Sequence, residues 1–205
     1  MSRHFVLDFD GTLFDTDVLW KWVVDRLVRE GIKEDRVRDV GQELFSVEYT
    51  LERHAKELGL EEVVVRPMVE EFGQVTLATS PSLVYQDVFP FLETIPLQTK
   101  SILTFGHPDF QKEKIRAAKV EPHVSEVRVA GPEYRKTKHL EEMLESTDVP
   151  LLFVDDNPYE LAAVHEAGLP VELIRMRREG ARHSGLDHEL DDQAWRVIRS
   201  LDELE

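Results

Sequence analysis

Not one of the 205 residues is a cysteine. That alone excludes disulfide frameworks, cysteine-based zinc sites and thiol nucleophiles. No apolar run is long enough to cross a bilayer, and no apolar leader core stands between Met1-Ser2-Arg3 and the strand-like run that starts at His4. The expectation is a soluble, cytoplasmic protein with no membrane contact. Positive charge is also scarce, with 25 Lys and Arg against 41 Asp and Glu and a formal net charge of -16. A surface this acidic repels nucleic-acid backbones, so no nucleic-acid partner is expected. The one basic cluster, Arg175, Arg177, Arg178 and Arg182, reads first as a solvated edge or loop and second as a secondary anion contact.

What is present is ordinary for a globular chain: 41% hydrophobic and 32% charged residues, enough for one α/β core with an inserted subdomain. Short apolar runs that end at turn signals suit buried strands of a parallel sheet. They occur at His4 to Asp10, Ser101 to Phe105, Val124 to Val129, Leu151 to Val154, Val171 to Arg175 and, more weakly, Trp195 to Ile198. Helical patterns lie between them at Phe110 to Lys119, His139 to Leu144 and Glu160 to Ala167. The alternation predicts βαβ units, hence a Rossmann-like parallel sheet flanked by helices.

One long stretch does not alternate. From about Asp17 to Ala78 the pattern is helical only. Val18, Trp22 and Leu27 with Leu19 and Val23 form a first stripe, and Val37, Val40 and Leu44 a second. Thr50 is placed to cap a third helix that stops at Gly59, and Pro67 to start or kink a fourth. The predicted division is a core of residues 1–15 and 80–205 with a helical cap at 16–79. Trp20, Trp22, Phe45, Tyr49 and Phe72 within the cap read first as core and second as pocket lining. The acidic tail after Gly185 is expected to end in a strand and a short helix.

The chemistry is concentrated at strand ends. In Asp8-Phe9-Asp10-Gly11-Thr12 the period of two sends both carboxylates to one side, and Gly11 lets the backbone turn away sharply. In parallel α/β sheets ligands bind beyond these carboxyl ends. Converging carboxylates repel unless a cation or proton intervenes, which suits magnesium, and a carboxylate can itself act as a nucleophile. A second acid pair, Asp155-Asp156, closes the run Leu151 to Val154, with Glu160 four residues beyond Asp156. Thr104, followed by Phe105-Gly106, offers a hydroxyl and amides to a phosphoryl oxygen. Arg135, Lys136 and Lys138 stand before a helical segment and can neutralise anionic charge. Thr12, Phe105, Gly106 and Lys138 complete the candidate substrate contacts.

This order of motifs, Asp-x-Asp-Gly-Thr, then a strand ending in Thr, then Lys before a helix, then a strand ending in Asp-Asp, resembles the phosphatase branch of the haloacid dehalogenase superfamily. The resemblance spans Asp8 to Glu160. It implies that Asp8 attacks phosphorus, that Asp10 protonates the leaving oxygen and later activates water, and that Thr104 holds a phosphoryl oxygen. It also implies an active-site lysine, for which Lys136 is preferred over Lys138 because Leu140 and Met143 then face inward. Asp8, Asp156 and the main-chain carbonyl of Asp10 would hold Mg2+, supported by Asp155 and Glu160. Dehalogenating and phosphonate-cleaving relatives lack an acid at the position of Asp10. The expected activity is magnesium-dependent hydrolysis of a small phosphate monoester, with a phosphomutase or a non-catalytic phosphate-binding protein as alternatives.

Overall fold

A computed structural model describes residues 3–96 and 99–204; Met1 and Ser2 of the leader argument lie outside them. Six strands form one sheet in the order β3-β2-β1-β4-β5-β6, every neighbouring pair parallel. They are β1 His4–Leu7, β2 Lys100–Phe105, β3 Val127–Ala130, β4 Leu151–Asp155, β5 Val171–Met176 and β6 Arg196–Ile198. Each coincides with an expected run, β2, β3, β4 and β5 reaching one residue beyond it. β3 starts three residues later than the apolar run at Val124, because Glu121–His123 close a single 3-10 turn around Pro122 first.

Helices cover both faces. The stretch between β1 and β2 holds α1 Thr16–Arg29, α2 Glu34–Phe45, α3 Leu51–Glu57, α4 Glu62–Thr79 and α5 Val88–Thr94. α6 Pro108–Ala117, α7 Lys136–Ser146 and α8 Pro158–Glu166 connect the later strands. Leu140, Met143, Leu161 and Val164 of α7 and α8 pack with Val6, Leu103 and Phe153 on one face of the sheet. Leu7, Ile102, Val154 and Ile174 face the other way, into the larger core that contains the insert. Alternate residues of each strand thus serve opposite cores, the expected result of a pleat with period two.

The helical insert follows its stop and start signals. The Thr50 side chain accepts from the Arg53 amide and caps α3, and Gly59 then turns the chain out of that helix with φ +85°. Pro67 lies inside α4, which begins five residues earlier than a proline-started helix would. Val18 is exposed and not part of the first stripe; Leu19, Val23, Val24 and Leu27 form the buried line of α1. Aromatics of the insert pack on one another, Trp22 on Phe72 and Trp20 against Phe45, Tyr49 and His54, and Phe72 stacks on Phe110 of α6. The insert joins the sheet through a short pairing of its two chain ends, with Asp15 donating to the Leu83 carbonyl at 2.8 Å and Tyr85 to that of Leu13 at 3.1 Å.

The basic cluster is not a solvated edge. Arg175 is fully buried on β5, paired with Asp191 and donating to the carbonyls of His183 and Leu186 at 3.0 and 2.6 Å. Arg178 is buried against the Thr12 carbonyl and pairs with Asp87 at 2.7 Å. Arg177 donates to the Ser184 carbonyl at 2.6 Å. These guanidinium groups satisfy carbonyls that an irregular loop cannot pair with itself. None of the described helices is long and apolar enough to cross a membrane.

Candidate active site

The chain runs from β1 out to β2 and β3 on one side, then returns to β4 on the other side of β1. The C-terminal ends of β1 and β4 therefore flank the switch point where such sheets open a crevice. Leu7 pairs with Val154, and the Asp8 amide continues the ladder to the Val154 carbonyl at 2.8 Å. One step further along, Asp8 falls beside Asp155, on the same face of the sheet.

Lys136, the first residue of α7, reaches over that face. Its ammonium donates to Asp8 Oδ1 and to Asp155 Oδ2, each at 2.6 Å, and all three side chains are almost completely buried. Asp155 Oδ1 accepts the Asn157 amide at 2.8 Å, so both its oxygens are engaged inside the protein. Asp156 completes the cluster: one carboxylate oxygen from each of Asp8, Asp155 and Asp156 lies within 4.8 Å of the others. The turn after β1 is shaped to receive Asp156. Gly11 has φ +76°, and a Cβ there would lie 2.3 Å from Asp156 Oδ2. Only a residue without a side chain permits that approach.

Burial and crowding set the charges. Loss of hydration pushes the Asp8 carboxyl up to about 7; Lys136 opposes the shift, and Asp156 and Asp10 add to it. Asp155 is likewise held well above the carboxylate range, by burial first. Burial disfavours the charge on Lys136, but Asp155 and Asp8 outweigh it and hold the ammonium above its ordinary value. One ammonium thus faces three carboxylates. Crowded acids whose ionised forms are disfavoured, presenting oxygen donors alone, fit a hard divalent cation such as magnesium, which would favour their ionised forms.

Asp10 lies apart from this cluster. Its carboxylate accepts from Lys114, from Gln111 at 2.8 Å and from Thr16 at the start of α1. Burial acts to raise its pKa, but the Lys114 charge and these hydrogen bonds prevail and hold it below the usual range. Lys114 is itself buried beneath the rings of Phe9, Phe14 and Phe110. The Thr12 and Thr104 hydroxyls are buried with no protein partner. The Gly106 amide donates to the Ala130 carbonyl at 3.0 Å, so it extends the sheet and is not open to a phosphoryl oxygen. The Phe105 carbonyl accepts from Gln111 at 2.7 Å, and its ring lies under the Arg135 guanidinium. Arg135 pairs with Glu160 at 3.6 Å. Lys138 points to the surface and pairs with Glu141, away from Asp8.

Sequence reasoning missed Gln111, Lys114 and His183, whose Nδ1 lies 3.0 Å from Asp156 Oδ2. A signal for the first two was present: Gln111 and Lys114, three apart, interrupt the apolar stripe of α6 that contains Phe110 and Ile115. For His183, which sits in an irregular loop, no local pattern exists.

No family model matches the chain, and no curated protein does. Solved structures do. A haloacid dehalogenase-like hydrolase from Burkholderia xenovorans superposes with a TM-score of 0.72 at 20% identity, covering 99% of this chain and 94% of that one. The L-2-haloacid dehalogenase of Xanthobacter autotrophicus gives 0.64 at 20% identity, covering 100% and 97%. A magnesium-bound HAD-hydrolase from Bacillus subtilis gives 0.64 at 14% identity, covering 98% and 96%. The strand order, the helical insert after β1 and superpositions over nearly the whole chain show that this protein has the haloacid dehalogenase-like hydrolase fold.

Proposed function

We propose that the protein is a magnesium-dependent phosphatase that hydrolyses a small phosphate monoester through an aspartyl-phosphate on Asp8, beneath a cap formed by residues 16–79. The observation that carries this reading is the cluster of Asp8, Asp155 and Asp156 around one ammonium. Bound there, magnesium would be held by Asp8 and Asp156, with the Asp10 carbonyl as a further donor, and would offset the charge of nucleophile and phosphate.

The chain's own residues account for the remaining steps. Lys136 fixes Asp8 Oδ1, which leaves the other oxygen free to attack phosphorus. The P–O bond to the alcohol breaks, and the leaving oxygen takes a proton from Asp10. Asp10 is ionised in the arrangement seen, which is the form a base requires. A phosphate dianion brought beside it raises its proton affinity and suits it to the acid half of its role. Asp10 then takes a proton from water, which attacks phosphorus, releases inorganic phosphate and restores Asp8. The buried, unpartnered hydroxyls of Thr12 and Thr104 are donors suited to phosphoryl oxygens.

Asp10 also favours this reading over carbon–halogen cleavage, because a departing halide needs no proton. Fold similarity cannot separate the two, since proteins named as dehalogenases and as phosphatases both occur among the structural neighbours. The test is inorganic phosphate release from a panel of phosphomonoesters, with magnesium or with chelator, beside halide release from 2-haloacids. Magnesium-dependent phosphate release with no halide release is expected. Halide release that persists in chelator, with the phosphate esters untouched, would overturn the reading.

A further inference from the structure

The Arg182 side chain, unlike those of Arg175 and Arg177, holds no carbonyl of the loop after β5. Its guanidinium lies over the Phe45 ring, 4.5 Å from the centroid, and donates to Gln42 Oε1 at 2.8 Å, both on α2 of the insert. Its neighbour His183 reaches the opposite way, to Asp156 at 3.0 Å. Adjacent Cα atoms are only about 3.8 Å apart, so Arg182 stands at the seam between the insert and the acidic cluster. The charges of Asp156 and Asp17, from the core and from the base of α1, both act on it.

The other cations around this crevice are all matched to carboxylates: Lys136 to Asp8 and Asp155, Lys114 to Asp10, Arg135 to Glu160, Arg178 to Asp87. Arg182 has only a neutral amide and an aromatic face, and no ion pair among the described residues. Its loop is nonetheless fixed. Arg175 holds the carbonyls of His183 and Leu186, and Arg177 holds that of Ser184. A guanidinium held in place, exposed and in no direct ion pair among the described residues is a preorganised site for an anion.

We propose that Arg182 determines substrate specificity by receiving a second anionic group, a carboxylate or a further phosphate, at the other end of the phosphomonoester cleaved at Asp8. The inference rests on the phosphatase reading. It assigns a substrate class: short phosphate esters with two anionic ends, bridging the core and α2.

The test compares kcat/KM for carboxyethyl phosphate, propanediol bisphosphate and propyl phosphate, which share a short chain and differ in the second end. Wild type should prefer one or both anion-bearing esters, and which one it prefers identifies the group. In Arg182→Gln the ratio of anion-bearing to propyl ester should collapse on the order of 10- to 100-fold, the worth of a charge-assisted contact. Arg182→Lys should retain much of the ratio. Gln42→Glu should lower it with the arginine still present, by placing a carboxylate in direct contact with the guanidinium. Equal ratios in wild type and Arg182→Gln, or no wild-type preference, would overturn the proposal. If wild type releases phosphate from other monoesters but from none of these three, the proposed substrate class is overturned; if it releases phosphate from no ester, the phosphatase reading fails. Calorimetric binding of the same esters in magnesium then decides: selective weakening in Arg182→Gln supports the anion site, and equal or absent binding overturns it.

Discussion

Lys136 touches two buried carboxylates at once, and most of the electrostatics of the site follows from that contact. Replacing it with Met leaves Asp8, Asp155 and Asp156 facing one another without a cation. Breaking a buried pair from one side costs about 3–5 kcal/mol, because the orphaned charges remain buried. Urea unfolding of Lys136→Met near neutral pH in chelator should show a loss of that size, with part of it recovered in magnesium. A midpoint equal to wild type would mean that the three acids do not depend on this ammonium. Lys136, Asp8 and the Asp155-Asp156 pair could be read in the sequence because each closes a strand or opens a helix. The partners of Asp10 left a local signal, the polar break in α6, but not their target. Gln111 and Lys114 meet it across more than a hundred residues, and no local pattern tells which helix will lie beside β1. The Arg-rich stretch was misread for a related reason: charged residues in a row look solvated until one sees the loop carbonyls they satisfy.

At the scale of elements, the turn between β1 and α1 determines whether the acidic cluster can assemble. Gly11 lies in the left-handed region with Asp156 pressed against it. In Gly11→Ala the backbone conformation alone costs about 1–2 kcal/mol, and the new Cβ must displace the Asp156 carboxylate. Magnesium at about a hundred times its dissociation constant stabilises a folded protein by about 2.7 kcal/mol. Wild type should therefore melt higher in magnesium than in chelator. Gly11→Ala should lose half or more of that increment, with magnesium affinity down on the order of 10- to 100-fold. An undiminished increment would show that Asp156 is not a ligand.

A second element-scale contact joins the start of α5 to the loop after β5, through Asp87 and Arg178. Burial acts to raise the Asp87 carboxyl, but hydrogen bonds from Arg178, the Leu201 amide and Ser200 hold it below its ordinary 3.8. A depressed carboxylate stabilises fully above its unfolded pKa, and that stability is lost as pH falls through the folded value. The stability gap between wild type and Asp87→Asn should therefore be largest near neutral pH and close as the pH falls below the ordinary carboxylate value. A gap that does not depend on pH would refute the ionic character of this contact. The elements themselves were legible as far as their periodicity is local. The six strands emerged from apolar runs and the caps of α3 from Thr50 and Gly59. The buried line of α1 was misplaced at Val18, because Leu19, Val23, Val24 and Leu27 make an equally regular stripe.

In the whole molecule, β1 lies in the interior of the sheet because the connections first build outward to β3 and then return to β4 on its other side. That order is a tertiary fact; the sequence shows that strands alternate with helices but not which strands are neighbours. It places Asp8 beside Asp155. On the proposed function, Asp8 becomes covalently phosphorylated during turnover. The most direct test is rapid-quench mass spectrometry of the protein mixed with magnesium and a hydrolysed ester, followed by mapping of the modified peptide. The account predicts a single phosphoryl group on Asp8, formed and lost at rates compatible with turnover and absent in Asp8→Asn. Steady phosphate release with Asp8 unmodified, or from Asp8→Asn that remains folded, would contradict it.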